Sequence, residues 1–288
     1  MSRQRMPLAR AAAAALLALL LGTPALAQFS LDLNKLLDIG KKATQLKEVS
    51  QEEEVEIGRG VASNLVGIAP LVPDPKLQRY VNAVGEWVAL HTERADLQWH
   101  FGVLDTPDVN AFATPGGWIF ITRGLLARMS SEAELAGVLA HEMSHVLQKH
   151  HLKAIQKNAM VGIGVDVAGI FAAQKGAQRA AQLERVANVG TELYARGLDR
   201  DDELEADRMG VVIAARAGYN VYGLVEVLQE LEAASPSDSQ MALLFKTHPA
   251  PRARLDALEK AMVPALDRYA EQPGLEARFR QSARNGRF

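Results

Sequence analysis

Apolar side chains recur every three to four residues along most of the chain, which is the spacing of one face of an α-helix. Two helix starts are marked by capping residues: Ser50 with Glu53 three residues later, and Asp74 directly before Pro75. The pattern as a whole predicts helices over residues 50–66, 74–91, 131–151, 196–219, 221–234 and 252–262. The chain is therefore predicted to be mostly helical.

The spacing changes to alternation before the helix over residues 131–151. Leu97–Leu104 and Trp118–Thr122 read as strands, with Val109–Thr114 and a Pro115-Gly116-Gly117 turn between them. The predicted fold class is α+β, mostly helical, with a small antiparallel sheet of two or three strands beside that helix. An edge strand there could bind an extended peptide through main-chain hydrogen bonds, although an ordinary hairpin has the same pattern.

The first 27 residues have the pattern of a secretory signal peptide. Arg3, Arg5 and Arg10 precede an apolar run, and Ala25-Leu26-Ala27 supplies a cleavage site of small residues. We predict cleavage after Ala27 and export to the bacterial periplasm. An uncleaved membrane anchor is the alternative, but the apolar run is shorter than the roughly 20 residues that span a bilayer.

Composition narrows the range of functions. Removal of the predicted signal peptide takes away three arginines and shifts the formal net charge from −2 to −5. This mild acidity argues against a nucleic-acid partner, which normally binds a basic surface. The chain has no cysteine, so disulfides, cysteine nucleophiles and cysteine metal ligands are all excluded.

The remaining residues are predicted to form one main domain, residues 50–265, between a leader helix at 28–49 and a polar, loose C-terminal tail at 266–288. Within the domain, Ala159–Ala173 is almost continuously apolar. It is too short to span a bilayer, and it carries Asp166 near its centre. We expect a buried or surface-docked helix here rather than membrane contact.

The segment His141-Glu142-Met143-Ser144-His145 is a candidate metal site. Residues four apart lie on one face of a helix, so both imidazoles can reach one ion, and neutral imidazoles suit Zn²⁺. Glu142 stands beside the first histidine, where it can take a proton from a water molecule that the metal activates. Chance alone would place such a pentapeptide in roughly one chain in a hundred of this length.

A catalytic zinc site needs a third protein ligand. His151 stands where the metzincin pattern has its third histidine, but Gln148 replaces the glycine of that pattern, so we expect an unbroken helix that carries His151 about 240° away from His145. Glu203, on a later helix, is a candidate carboxylate ligand, and Asp207 is placed to hydrogen-bond a ligand imidazole. From the residues alone, a solvated acidic helix face paired with nearby arginines is the simpler explanation.

Six short motifs follow one another along the chain: Asn110–Gly117, Gly124–Leu126, Glu132–Ala140, His141–His145, Glu203–Asp207 and Thr247–Pro249. Their order resembles that of metallopeptidase family 48, the gluzincin group of HtpX-like and CAAX prenyl endopeptidases. The resemblance implies a zincin-like domain in which His141, His145 and Glu203 bind the metal. The integral-membrane members of that family have several spans, which this sequence does not show after the signal peptide.

The resemblance further implies a soluble periplasmic zinc endopeptidase with one Zn²⁺ per chain. Glu142 would be the general base. His248 would stabilise the oxyanion or occupy the open metal position, unless it is an ordinary loop histidine before a proline. Arg254 is expected to pair with Asp207 or with the substrate.

Substrate is expected along the strand that carries Asn110, Ala111, Phe112 and Ala113. The resemblance implies quality control of unfolded or misassembled envelope proteins, with contacts to the membrane periphery or to outer-membrane assembly machinery. A rival hypothesis is a zinc-stabilised chaperone or assembly factor that holds such proteins without cutting them. An accidental motif in a structural domain would bind no metal at all.

Overall fold

The computed structural model describes residues 48–167, 170, 176–234, 238–262 and 266–283. The predicted signal peptide and all but the last two residues of the predicted leader helix lie outside these ranges. The chain divides into two units, Met1–Thr44 and Gln45–Phe288, and every described residue belongs to the second. Among the described residues, no helix is long and apolar enough to cross a membrane.

Two capped helices open the described part, as the sequence predicts. Helix α1 spans Gln51–Ile68, and Ser50 and Glu53 form the complete capping box at its start. Helix α2 spans Pro75–Ala89, with the Asp74 carboxylate accepting from the backbone N–H groups of residues 76 and 77. Both helices begin where a side chain satisfies the first free N–H groups.

Three short strands follow: β1 (His100–Leu104), β2 (Ala111–Thr114) and β3 (Trp118–Thr122). The order in the sheet is β1-β3-β2; β2 pairs with β3 antiparallel, but β1 pairs with β3 parallel. The prediction of an antiparallel sheet is therefore wrong for the β1–β3 pair. The chain crosses from β1 to the far edge before β2 begins, so β3 fills the gap between them and runs in the same direction as β1.

The rest of the described chain is helical, which confirms the predicted fold class. The helices are α3 (Arg123–Arg128), α4 (Glu132–Leu147), α5 (His150–Ile163), α6 (Ala177–Leu193), α7 (Arg200–Arg216), α8 (Gly223–Ala233), α9 (Leu244–Thr247), α10 (Pro251–Met262) and α11 (Glu276–Ala283). Single 3₁₀ turns lie at Ser239–Met241 and Asp267–Tyr269.

Helix α4 ends earlier than predicted. It stops at Leu147, and Lys149 adopts a left-handed conformation (φ 56°) before α5 starts at His150. A residue in that conformation cannot continue a right-handed helix, so the chain changes direction at this point. The expectation of one unbroken helix to residue 151 is therefore wrong.

The core lies on both faces of the sheet. One apolar cluster packs α2, α4, α7 and α8 against Ala111, Ala113 and the inward residues of β1 and β3. The second packs α1, α5 and α6 against Phe112 and Phe120 on the other face. Every residue of α4 from Glu132 to Val146 is buried, so the helix that carries the metal motif runs through the middle of the molecule.

Two segments differ from expectation. Helix α5 ends at Ile163 and Gly164 adopts a left-handed conformation, so the apolar run after residue 159 is not one continuous helix; its last residues lie outside the described ranges. Residues 276–283 of the C-terminal tail form α11, which buries Phe279 completely and pairs Arg278 with Glu132 at the first turn of α4. This part of the tail is therefore docked rather than loose.

Candidate active site

The two motif histidines face each other across one turn of α4. The Nε2 atoms of His141 and His145 are 3.2 Å apart, and both side chains are almost completely buried. Glu203 approaches from α7: one carboxylate oxygen is 3.7 Å from Nε2 of His141 and the other is 3.6 Å from Nε2 of His145. These three residues form a group that could hold a metal ion.

A close contact between two helices brings Glu203 into this position. Glu203, Asp207 and Gly210 lie on one face of α7, and a Cβ atom at Gly210 would be only 2.9 Å from the backbone N and Cα of His141. Glycine at residue 210 therefore allows the α7 backbone to touch the α4 backbone at the first histidine. The carboxylates of Asp207 and Glu203, one and two turns before Gly210, are then within reach of the imidazoles.

The donor set fits Zn²⁺. Tetrahedral coordination at bond lengths of about 2.0–2.1 Å places ligand atoms about 3.3 Å apart. Here the two imidazole Nε2 atoms are 3.2 Å apart, and one ligand atom from each of the three residues lies within 4.8 Å of the others. Oxygen Oε1 of Glu203 is buried without a hydrogen-bond partner. A buried carboxylate oxygen without a donor is costly, and a cation would satisfy it.

A buried ion pair on the Nδ1 side of His141 fixes the orientation of its ring. Its Nδ1 atom lies 3.0 Å from Asp207, and Asp207 accepts two hydrogen bonds from Arg254 at 2.9 and 2.5 Å. Burial opposes ionisation of Asp207, but the Arg254 guanidinium holds the pKa of this carboxyl below its ordinary value. A charged acceptor on Nδ1 favours the tautomer whose Nε2 is free to bind metal. Arg254 thus pairs with Asp207, one of its two predicted roles.

His145 is supported by a residue that the sequence analysis did not assign. Its Nδ1 atom lies 3.0 Å from Nδ1 of His150, whose Nε2 lies 3.3 Å from a carboxylate oxygen of Glu205. Burial, and then the neighbouring His141, hold the pKa of His145 well below its ordinary value, so this imidazole stays neutral, as metal binding requires. The break at residue 149, which turns His150 back towards the site, leaves no clear signal in the sequence.

Glu142 and His248 complete the group of polar side chains. Burial raises the pKa of Glu142 above its ordinary value, which moves this carboxylate towards the range of an effective general base. Nδ1 of His248 lies 2.8 Å from Glu203. Burial opposes protonation of His248, but the Glu203 carboxylate raises the pKa of this imidazole above its ordinary value. Burial also opposes ionisation of Glu203, but the neighbouring His248 outweighs that effect and the pKa of Glu203 falls to about 2.

His151 is not part of the metal group, although the reason given from the sequence was wrong. Because the helix breaks, the His151 ring comes within 5.3 Å of the His145 ring, measured between centroids. It stacks instead on Tyr194, with centroids 4.7 Å apart and planes 13° apart. Burial lowers the pKa of His151 to about 3.

Strand β2 lies at the edge of the sheet, as predicted for the substrate strand, but it is covered. Asn110, Ala111, Phe112 and Ala113 are all buried. The Asn110 side chain accepts from the backbone N–H of Ala111 (3.0 Å) and donates to the hydroxyl of Thr247 (3.3 Å). The hydroxyl of Tyr194 donates to the Ala113 carbonyl. Tyr194 is a second residue at the site that the sequence analysis did not find.

Comparison with known proteins decides the family of this domain. The family model described as peptidase family M48 matches residues 75–262, about two thirds of the chain. The chain belongs to peptidase family M48. This membership confirms the resemblance drawn from the six motifs and the predicted enzyme class, a metalloendopeptidase.

Similar proteins of this family occur in bacteria and in mitochondria. The chain is 31% identical over 232 residues to a beta-barrel assembly-enhancing protease from Yersinia pestis and 30% identical over 228 residues to one from Escherichia coli O157:H7; each match covers 78% of this chain and 46% of the relative. It is 28% identical over 185 residues to the mitochondrial metalloendopeptidase OMA1 of Schizosaccharomyces pombe, covering 63% of this chain and 52% of the relative. The chain thus spans about half the length of these relatives.

Proposed function

We propose that this protein is a zinc-dependent endopeptidase of the bacterial periplasm that cleaves unfolded or misassembled envelope proteins. The observation that carries the proposal is the unsatisfied, buried oxygen of Glu203 beside the imidazoles of His141 and His145, with Glu142 adjacent on α4. His141, His145 and Glu203 would hold the ion. When bound, Zn²⁺ supplies Lewis acidity, which makes a water molecule nucleophilic at neutral pH and polarises a peptide carbonyl.

Glu142 is proposed as the general base. Its carboxylate and His141 line a cavity of about 30 Å³ together with His248 and Arg254, enough for one or two water molecules. Glu142 would accept a proton from the attacking water and donate it to the departing amine. Its raised pKa makes Glu142 a stronger base for the first of these two transfers than an ordinary glutamate.

His248 and Arg254 also line that cavity. Arg254 acts mainly through Asp207, which fixes the ring of His141. His248, held by Glu203 at 2.8 Å, lies where it could donate a hydrogen bond to a developing oxyanion. We therefore assign Arg254 a positioning role, and His248 the role of oxyanion stabiliser.

The substrate class follows from the edge strand. An extended peptide that displaces the Tyr194 hydroxyl from the Ala113 carbonyl would add to β2 through main-chain hydrogen bonds, which carry little sequence information, so unfolded segments of many proteins would be accepted. The N-terminal signal-peptide pattern supports export. Relatives named beta-barrel assembly-enhancing protease support envelope proteins as substrates and contact with outer-membrane assembly machinery.

Casein digestion by the purified, zinc-loaded protein tests the proposal. We expect digestion that a chelator abolishes and added zinc restores. Glu142→Gln should retain one zinc per chain by elemental analysis and lose digestion. Casein digestion that persists in excess chelator, or at the wild-type rate in Glu142→Gln, would disprove the mechanism.

A second candidate is an assembly factor that holds envelope proteins without cutting them. The word "assembly-enhancing" in the names of the relatives and the covered edge strand favour it. This hypothesis predicts that Glu142→Gln complements a strain lacking the protein. The endopeptidase hypothesis predicts that it does not.

A further inference from the structure

A large apolar cavity adjoins Phe112 of strand β2. It has a volume of about 460 Å³ and its walls include Leu65, Ile68, Ala69, Leu104, Phe112 and Leu243. We call it the Phe112 pocket. It is distinct from the small cavity at Glu142, which lies on the α4 side of the sheet. Its volume is that of a typical ligand site, and its rim carries the strongly exposed side chain of Ile68.

The hydrogen bonds of β2 show which of its groups point away from the sheet. The N–H and C=O groups of Asn110 both bond to Thr122, at 3.0 Å each, so the main-chain groups of Asn110 point towards β3. In an antiparallel pair this direction alternates with every residue. The main-chain groups of Ala111 and Ala113 therefore point outward from the edge. The hydroxyl of Tyr194 on the Ala113 carbonyl agrees with this assignment.

An added strand would pair through those outward groups and would place its side chains in register with β2. Side chains on directly opposite residues of neighbouring strands lie on the same face, about 4.5–5.5 Å apart at Cβ. The Phe112 side chain points to the face away from α4 and lines the pocket. The side chain of the substrate residue opposite Phe112 therefore lies on the same face of the sheet as that pocket.

We propose that the Phe112 pocket is a substrate subsite that selects a large apolar side chain at the residue paired opposite Phe112. This inference rests on the proposed peptidase function. The wall surface is mainly apolar, although Asp105 and Asp108 also line the pocket, so a small or negatively charged side chain would leave the apolar walls exposed or lose its own hydration. Tyr194 shares the space: its ring packs on Phe112, with centroids 6.0 Å apart, and its hydroxyl holds the Ala113 carbonyl that a substrate N–H would take.

Peptide binding to the Glu142→Gln variant tests the subsite without cleavage. Fluorescent peptides of one extended sequence carry Ala, Leu, Phe or Asp at one position at a time, and Kd is measured by anisotropy. We expect one position at which Phe binds about tenfold or more tightly than Ala, the discrimination expected of an apolar pocket. The same preference should be absent at the two neighbouring positions, whose side chains face the other side of the sheet.

Two further variants fill the pocket: Ala195→Phe, in the exposed turn after α6, and Ala69→Phe, at the end of α1. Each should reduce the Phe-over-Ala preference to about twofold or less. Ala181→Phe is the matched control, because Ala181 is equally exposed on α6 and lies outside the pocket. A preference that survives both filling variants, or no positional preference at all, would overturn the subsite.

Casein digestion by the wild-type protein is measured beside these titrations. Digestion without a positional preference would refute the Phe112 pocket as a subsite and leave the endopeptidase proposal intact. A positional preference that the filling variants abolish, without digestion by wild type, would support the subsite and refute the endopeptidase proposal. The two failures are therefore distinguishable.

Discussion

Asp207→Asn is the substitution with the most specific consequences. Asp207 and Arg254 pair through two hydrogen bonds in a site where their side chains are 1% and 6% exposed. Asparagine keeps the shape but removes the charge, so the Arg254 guanidinium loses its paired carboxylate in the interior. Loss of one partner of a buried pair costs about 3–5 kcal/mol, roughly a fifth or more of the typical stability of a domain, about 5–15 kcal/mol. We also expect zinc affinity to fall about 10–100-fold, because the acceptor on His141 Nδ1 is weakened.

Urea denaturation of the metal-free proteins measures the first effect, and zinc competition with a chromophoric chelator measures the second. Asp201→Asn is the control: it lies on the same helix, is exposed, and should change stability by less than about 1 kcal/mol. Adding Arg254→Met to Asp207→Asn removes the unpaired charge and should recover most of the stability but not the zinc affinity. The reasoning is refuted if Asp207→Asn unfolds at the same urea concentration as the control.

Three other variants test the supporting structure. Gly210→Ala should destabilise the protein by about 1–3 kcal/mol in thermal or urea unfolding and weaken zinc binding, because the new Cβ meets the backbone of His141. Gly162→Ala is the control: Gly162 has open space around it, and alanine is the better helix former by about 1 kcal/mol, so this variant should be neutral or stabilising. His150→Ala should leave the fold intact by circular dichroism and lower zinc affinity about 10–100-fold, and an unchanged affinity would remove its assigned role. Phe279→Ala should cost about 3–5 kcal/mol in urea unfolding; a loss below 1 kcal/mol would mean that α11 does not contribute to the core.

The sequence predicts the helices well where the signal is local. Ser50 with Glu53 and Asp74 with Pro75 start helices where expected, because a cap involves residues only two or three positions apart. The zinc motif has the same property, since two histidines four residues apart share a helix face in any helix. Its placement at the centre of the core follows from the apolar residues all around α4.

Glu203 shows the limit of local reasoning. From composition alone, the acidic run at the start of α7 resembles a solvated face, and Asp201 is indeed exposed. Glu203 and Asp207 are buried because Gly210, on the same face, lets α7 touch α4. The periodicity of these three residues was visible in the sequence, but the partner helix was not. The family resemblance, which uses the order of distant motifs, supplied that information.

The errors share one physical cause, which is that non-local contacts decide them. The left-handed conformation of Lys149 lets His150 turn back to His145, and no glycine or proline predicts this helix break. The parallel pairing of β1 with β3 depends on which side of β1 the chain crosses, and alternation alone does not fix this. The docking of α11 depends on Phe279 and on a carboxylate far away in the chain.

That carboxylate, Glu132, has a consequence for the order of folding. Its partners Tyr80, Tyr219 and Arg278 are 52, 87 and 146 residues away along the chain. Contacts between distant residues form late, because the entropy of closing long loops is lost before the contacts stabilise the chain. The Glu132 carboxylate in the first turn of α4 therefore gains all three partners only when nearly the whole domain has assembled. If the proposed function is correct, a chain that is still folding would lack a finished metal site, which would prevent it from cleaving its own unfolded neighbours.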